Sequence, residues 1–227
     1  MALQERAIRT RRNILIAAAD VFADVGYEAA TISEILQRAN VTKGALYFHF
    51  ASKEQLAQAV LTDQLKSVPE LPPRELVLQE GLDSGFLLAH LLGSGDALVR
   101  GSIRLTVDQG SPHDGLDRRV PMASWVEHNA ALLERARANG EVLPQVDVAT
   151  AAKAFVAAFT GAQVLSKIMN DHTDLMERVV DLYRHLMTSI AVPAVLVRLD
   201  MSVDRGRRVY EEAMELRLDP EEAPAAG

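Results

Sequence analysis

The stretch Thr31–Gln55, TISEILQRANVTKGALYFHFASKEQ, places a lysine, a glycine and three phenyl or phenol rings within residues 43–50 and frames them with capping residues. Thr31 and Glu34 have the spacing of a capping box, in which a threonine side chain satisfies a free helix amide and the glutamate reaches back. Ser52 and Gln55 repeat that spacing, and Thr42 is a further N-cap type between them. The pattern predicts a helix over Ile32–Ala39, a very short one within Val41–Phe50, and a third from about Lys53 to Ser67. Two short helices joined by Asn40–Thr42 form a helix-turn-helix, the motif that lays its second helix in the DNA major groove.

The residue types suit that task. Gly44 and Ala45 lack bulk, so backbone can approach a base edge or phosphate, and Lys43 projects a cation at the helix start. Tyr47 and His49 can donate to phosphate oxygens, and Lys53 opens the next helix. Leu46, Phe48 and Phe50 are expected to pack inward. The competing reading has every ring in the core and Lys43 merely solvated.

Upstream, Ile14, Ala17, Ala18, Val21, Phe22 and Val25 recur at helical spacing and predict a helix over Thr10–Val25, ended by Gly26. Downstream, VPELPPRE at 68–75 interrupts any helix, because Pro69, Pro72 and Pro73 lack the amide that a helix needs. Pro73 can serve as a first helical residue. Helices then follow over roughly Arg74–Leu92, Asp96–Gln109, Met122–Asn139, Val148–Met169 and Leu175–Ile190, with shorter pieces to Leu216. No stretch alternates with a period of two, so the fold class is all-α. The expected division is a helix-turn-helix domain at 1–52, a helical regulatory and dimerisation domain at 53–218, and a disordered tail at 219–227 of composition DPEEAPAAG.

Composition narrows the function. The absence of cysteine excludes disulfides, thiolate zinc sites and cysteine nucleophiles, and fits a reducing cytoplasm. The start of the chain, MALQERAIRTRRN, is charged where an export signal is apolar, and no run is expected to cross a membrane. The net charge of −7 argues against a protein that coats nucleic acid throughout. It is unevenly spread: residues 1–66 carry eight Lys and Arg against seven acids, which leaves sixteen against twenty-four for the rest. The histidines are scattered with no zinc-binding spacing, and no nucleophile elbow, phosphate loop or dinucleotide fingerprint is present. No cofactor is called for. VDRGRRVYEEAMELR, at 203–217, mixes charge signs and reads as a solvated helix face.

Residues 9–60 closely resemble the DNA-binding domain of TetR-type transcriptional regulators, through Phe22, Gly26, Tyr27, Thr31, Ile35, Ala39, Val41, Lys43, Gly44, Leu46, Tyr47, Phe50, Lys53 and Leu56. The resemblance implies a homodimer whose N-terminal domains read a palindromic double-stranded operator and whose C-terminal domains bind a small effector. It places Thr42, Lys43, Gly44, Tyr47, His49 and Lys53 at or near DNA; Ser33 and Ala45 are counted with them.

In the C-terminal part, KAFVAAFTGAQVLSKIM at 153–169 is apolar or small on nearly every side and is expected to be largely buried. Its polar exceptions Thr160, Gln163 and Ser166, with Gln64 on the earlier helix, each need a hydrogen-bond partner from protein, water or ligand. Structural satisfaction is the simpler reading for each one; as a set they are ligand candidates. Trp125, the only tryptophan, is either core or pocket wall. GDALVRGSIRLTVDQG followed by that lone tryptophan resembles the γ-butyrolactone autoregulator receptors, a TetR subgroup, in which a matching tryptophan lines the ligand pocket. A small apolar signal, a γ-butyrolactone or butenolide, is implied. The rival readings are a regulator of an efflux gene with a broad pocket, and an all-helical enzyme for which no acid–base or nucleophile set is visible.

Overall fold

The computed structural model describes residues 2–63, 68–108 and 114–218. Eleven helices occupy the described residues: α1 (Ala2–Ala29), α2 (Ile32–Ala39), α3 (Lys43–His49), α4 (Lys53–Thr62), α5 (Val77–Ser94), α6 (Ala97–Val107), α7 (Arg119–Ala138), α8 (Val148–Asn170), α9 (Leu175–Ile190), α10 (Pro193–Leu196) and α11 (Arg205–Leu218). Only an isolated antiparallel bridge, Val142 to Ala191, departs from helix and turn among them. The fold is all-α.

The chain forms two compact units, one of residues 1–67 with 95–122 and the other of 68–94 with 123–227. The N-terminal domain expected at 1–52 is therefore part of a larger unit that includes α4 and α6. Helix α1 starts eight residues before Thr10, and its regular turns stop at Gly26, whose φ of 77° lies in the left-handed region. A side chain there would also meet the Asp108 carboxylate at 2.8 Å. Helix α6 lies close along α1 because Gly101 has no Cβ; one would sit 2.2 Å from the Ala19 carbonyl oxygen. The unit's core is the α1 stripe with Ile35, Leu46, Phe50, Leu56, Val60 and Leu105, and Phe22 at its centre is fully buried.

In the second unit, α5 packs against α9 and α11. Helix α5 begins at Val77 rather than Arg74 because a distant carboxylate caps it: buried Glu141 accepts the amides of Val77 (3.0 Å) and Leu78 (2.9 Å). Arg74 is turned instead toward Asp83 (2.7 Å) and Glu212. Asp83 is fully buried and also accepts from Arg205 at both oxygens (2.8 and 2.6 Å) and from the Gln79 amide (2.8 Å). The expectation that 203–217 forms a solvated face fails here. Arg205, Val209 and Ala213 are buried, and the charge mixture serves to neutralise an interior carboxylate.

Helix α8 also departs from expectation. Val148, Ala152, Phe155, Gln163 and Ser166 are buried, while Leu165, Ile168 and Met169 are 48%, 73% and 62% exposed. Its all-round apolar character thus serves two faces, one against its own unit and one open. By length and mean hydropathy this helix could cross a membrane, contrary to the expectation that no run could, although 28% of that span is buried within the protein. The interior polar pair Gln163 and Ser166 and the lysines at 153 and 167 make it a poor span. Helix α7 starts at Arg119 because Pro121 is tolerated in a first turn. The expected tail at 219–227 and the end of α4 beyond Asp63 lie outside the described residues.

Removing the Asp83 carboxylate leaves Arg205 and Arg74 without their buried counter-ion. Asp83→Ala should lower stability by about 3–5 kcal/mol in urea unfolding followed by circular dichroism; a loss below about 1 kcal/mol would deny the cluster that role.

Candidate nucleic-acid interface and ligand recess

The three caps read from the sequence hold α2, α3 and α4 in place. Thr31 Oγ accepts the Glu34 amide at 3.2 Å while the Glu34 carboxylate accepts the Thr31 amide at 2.9 Å. Thr42 accepts the Ala45 amide (3.3 Å), and Ser52 accepts the Gln55 amide (3.0 Å). Asn40, at φ 50° and ψ 50°, turns the chain between α2 and α3.

Helix α3 is anchored by Leu46 and Phe50, both buried and one turn apart. Everything on its other side faces outward: Thr42, Lys43, Gly44 and Tyr47 are exposed, and Ala45 and His49 are half-exposed. Phe48 joins them at 80% exposure, which corrects its expected place in the core. Two residues from each anchor on a helix of 3.6 residues per turn, it must point the opposite way. That spacing was readable in the sequence; the residue type misled. Phe48 packs edge-on against His49 with centroids 5.0 Å apart.

The cations of this unit differ in availability. Arg38 is spent on Asp20 (2.9 Å) and Asp24 (2.7 Å), and Arg11 pairs with Asp63 (3.7 Å) while lying over the Phe50 ring (5.0 Å). Lys43 lies 5.9 Å from the centroid of the Tyr47 ring, a contact that leaves its charge uncompensated. Gly44 has nothing within 4 Å of where a Cβ would be, so no contact inside the unit asks for glycine there. Lys53 is placed differently from expectation. Its ammonium donates to the carbonyls of Tyr27 (2.8 Å), Ala30 (3.1 Å) and Glu28 (3.4 Å) and lies 4.4 Å from the Tyr27 ring centroid. It thus ties the start of α4 to the end of α1, so its donors are turned to the protein. Ser33 is exposed at the start of α2.

The second unit contains a recess of about 350 Å³, its open mouth included, between α5, α7, α8 and α9. Gly81, Leu82, Asn129, Leu132, Phe155 and Tyr183 are among its walls. Trp125, Thr160 and Gln163 are not, and Gln64 lies outside the described residues. Trp125 is half-buried one turn before Asn129, whose amide donates to the Trp125 carbonyl at 2.9 Å, and its ring stands edge-on to His128. Burial depresses the His128 pKa, with Arg135 acting in the same direction. Thr160 is half-buried; Ser166 is satisfied by Asp174 at 2.6 Å. Gln163 is 5% exposed, and its Oε1 has no hydrogen-bond partner in the structure. Among the described residues no group of three or more His, Asp or Glu could hold a metal ion.

Comparison with known proteins agrees with this geometry. Residues 14–60 match the family "Bacterial regulatory proteins, tetR family". The A-factor receptor protein of Streptomyces griseus is 40% identical over 239 residues, covering 100% of this chain and 82% of that receptor. TylP, a TetR regulator from Streptomyces fradiae, superposes with a TM-score of 0.88 at 62% identity, over 92% of this chain and 99% of its own. A gamma-butyrolactone receptor described as ArpA-like superposes with a TM-score of 0.67 at 29% identity, over 92% and 99% of the two chains. Similarity of this extent, running the length of the molecule and not only through its first helices, makes the chain a member of the tetR family of bacterial regulatory proteins.

Proposed function

We propose that the protein is a homodimeric repressor that binds a palindromic operator through α3 and is released by a small signal of the γ-butyrolactone or butenolide class. The observation that carries the DNA reading is the outward face of α3. It presents small residues, hydroxyls and one uncompensated lysine on a helix anchored by two buried side chains, inside a chain of net charge −7. Ser33, Thr42, Lys43, Gly44, Ala45, Tyr47 and His49 form the contact set, Phe48 adds an apolar surface suited to a thymine methyl group, and Lys53 positions α4. The names of the A-factor and gamma-butyrolactone receptors support the ligand class.

Leu165, Ile168 and Met169 lie three and four residues apart on one face of α8, and their exposure fits a second copy of the chain covering them. A dimer sets the two α3 helices one turn of DNA apart, about 34–36 Å, as a palindrome requires. The signal releases DNA only by favouring a different dimer geometry, and by reciprocity bound operator weakens the signal's affinity. Trp125, Thr160 and Gln163, with Gln64, are the proposed contacts on the ligand side; Gln163 Oε1 is a buried acceptor awaiting a donor.

Selection of duplexes from a random pool, followed by gel shift with added lactones, tests the whole reading; enrichment of no palindrome rejects it. Lys43→Ala should weaken operator binding roughly tenfold and flatten the salt dependence by about 0.9 in log–log slope, the signature of one lost phosphate contact. Ile168→Glu should turn the dimer into a monomer in sedimentation while the helix content holds. Trp125→Ala should keep operator affinity and lose release by the lactone, and loss of both would make the tryptophan a folding residue.

A further inference from the structure

We infer that the recess beside Gly81 is the seat of a neutral, closed-ring ligand, with Gly81 setting the room and Tyr183 and Asn129 supplying the polar contacts, and that the ring-opened acid of the same ligand is excluded. The inference rests on the ligand class proposed above and adds a location, a polarity and a size limit.

Gly81 is the first clue. It lies in the interior of α5, where glycine costs helix stability relative to alanine. Its backbone is not in the left-handed region, and a Cβ would meet only Leu132 Cδ1 at 3.8 Å, an ordinary contact. Neither conformation nor packing therefore asks for glycine. Gly85, one turn later, is the internal control, because a Cβ there would fall 1.8 Å from the Tyr183 hydroxyl oxygen. What the bare backbone at Gly81 provides is space in the recess that it lines.

The second clue is the polar inventory. Tyr183 is 6% exposed, with its ring tilted against Phe86 (5.3 Å) and Phe155 (6.0 Å). Its hydroxyl makes no hydrogen bond with the described residues, and burial raises its pKa, so it stays protonated as a donor. Asn129 spends one N–H on the Trp125 carbonyl and keeps its carboxamide oxygen and second N–H. A carbonyl oxygen and a hydroxyl on a ligand would match these groups. The third clue is what the walls lack: no Lys, Arg, His, Asp or Glu lines the recess. A carboxylate entering it would lose hydration and gain no counter-ion, whereas an intact cyclic ester brings a neutral acceptor. Hydrolysis of a lactone to its hydroxy acid converts the second kind of ligand into the first.

The test uses the full-length dimer, an alkyl γ-butyrolactone, and the hydroxy acid obtained from it by alkaline ring opening. Binding is read by titration calorimetry and by the fluorescence of Trp125, one turn from Asn129. The lactone should bind at least a hundredfold more tightly than the acid. Gly81→Leu should weaken lactone binding at least tenfold, and Tyr183→Phe several-fold, with operator binding unchanged in gel shift. Gly81→Ala guards against a folding artefact: it should unfold at the same or a higher temperature and still bind lactone more weakly than the wild type. Equal lactone affinity in wild type and both Gly81 variants, or equal affinity for acid and lactone, overturns the assignment. Release of wild type and Gly81→Leu from operator by the same lactone concentration would overturn the recess while leaving the lactone-responsive repressor intact. A wild-type protein that selects a palindrome yet neither binds nor responds to lactones would overturn the ligand class and this assignment with it.

Discussion

A helix of seven residues cannot hold itself together in water, and the first unit is organised around that constraint. Helix α3 exists because Leu46 and Phe50 are clamped into the core beside Phe22, with Thr42 capping its start. Once those anchors are fixed, helical geometry leaves Lys43, Gly44, Tyr47 and Phe48 no direction but outward. The interface is in this sense the residue of a packing problem. Two inward contacts determine which side chains remain for DNA, and the caps on α2 and α4 fix the angle at which they are offered.

Charge follows a similar logic in both units. A chain with an excess of acids can present a DNA-binding face only if its cations are sorted, and the structure sorts them by pairing. Arg38 and Arg11 are consumed by neighbouring carboxylates, Lys53 by three carbonyls, and Lys43 is left over. In the second unit the arginines turn inward, where Asp83 accepts from two of them and from Gln79. The ligand recess, by contrast, is bare of charge. Each unit thus keeps its ions where they are matched and leaves its working surface with the polarity its partner requires.

Much of this was legible in the sequence, and the division between legible and hidden is physical. Caps depend on residues three apart, so Thr31, Thr42 and Ser52 announced three helix starts. Helical periodicity gave the α1 stripe and the all-α class. Glu141 capping α5 from 63 residues away, and Arg205 closing on Asp83 across 122, could not be read, because nothing local marks a long-range partner. The two faces of α8 were hidden for another reason: apolar residues destined for a partner look the same as those destined for the core. Phe48 was a misreading of available information, since its position relative to Leu46 settled its direction. The DNA side of the candidate site was accessible through local spacing. The recess was not, because Gly81, Asn129 and Tyr183 come from three helices far apart in the chain.

The close seating of Gly101 on Ala19 has a consequence for modular engineering. The chain completes α1 to α4, makes α5 as part of the other unit, and only then supplies α6 to finish the first. The DNA-reading head is therefore not a cassette that ends where its recognition helices end. A chimera cut after residue 60 would graft the reading residues without Leu105 and the helix that carries it along α1. The smallest transplantable head is discontinuous in sequence, and its folding during synthesis must wait for some forty further residues to emerge.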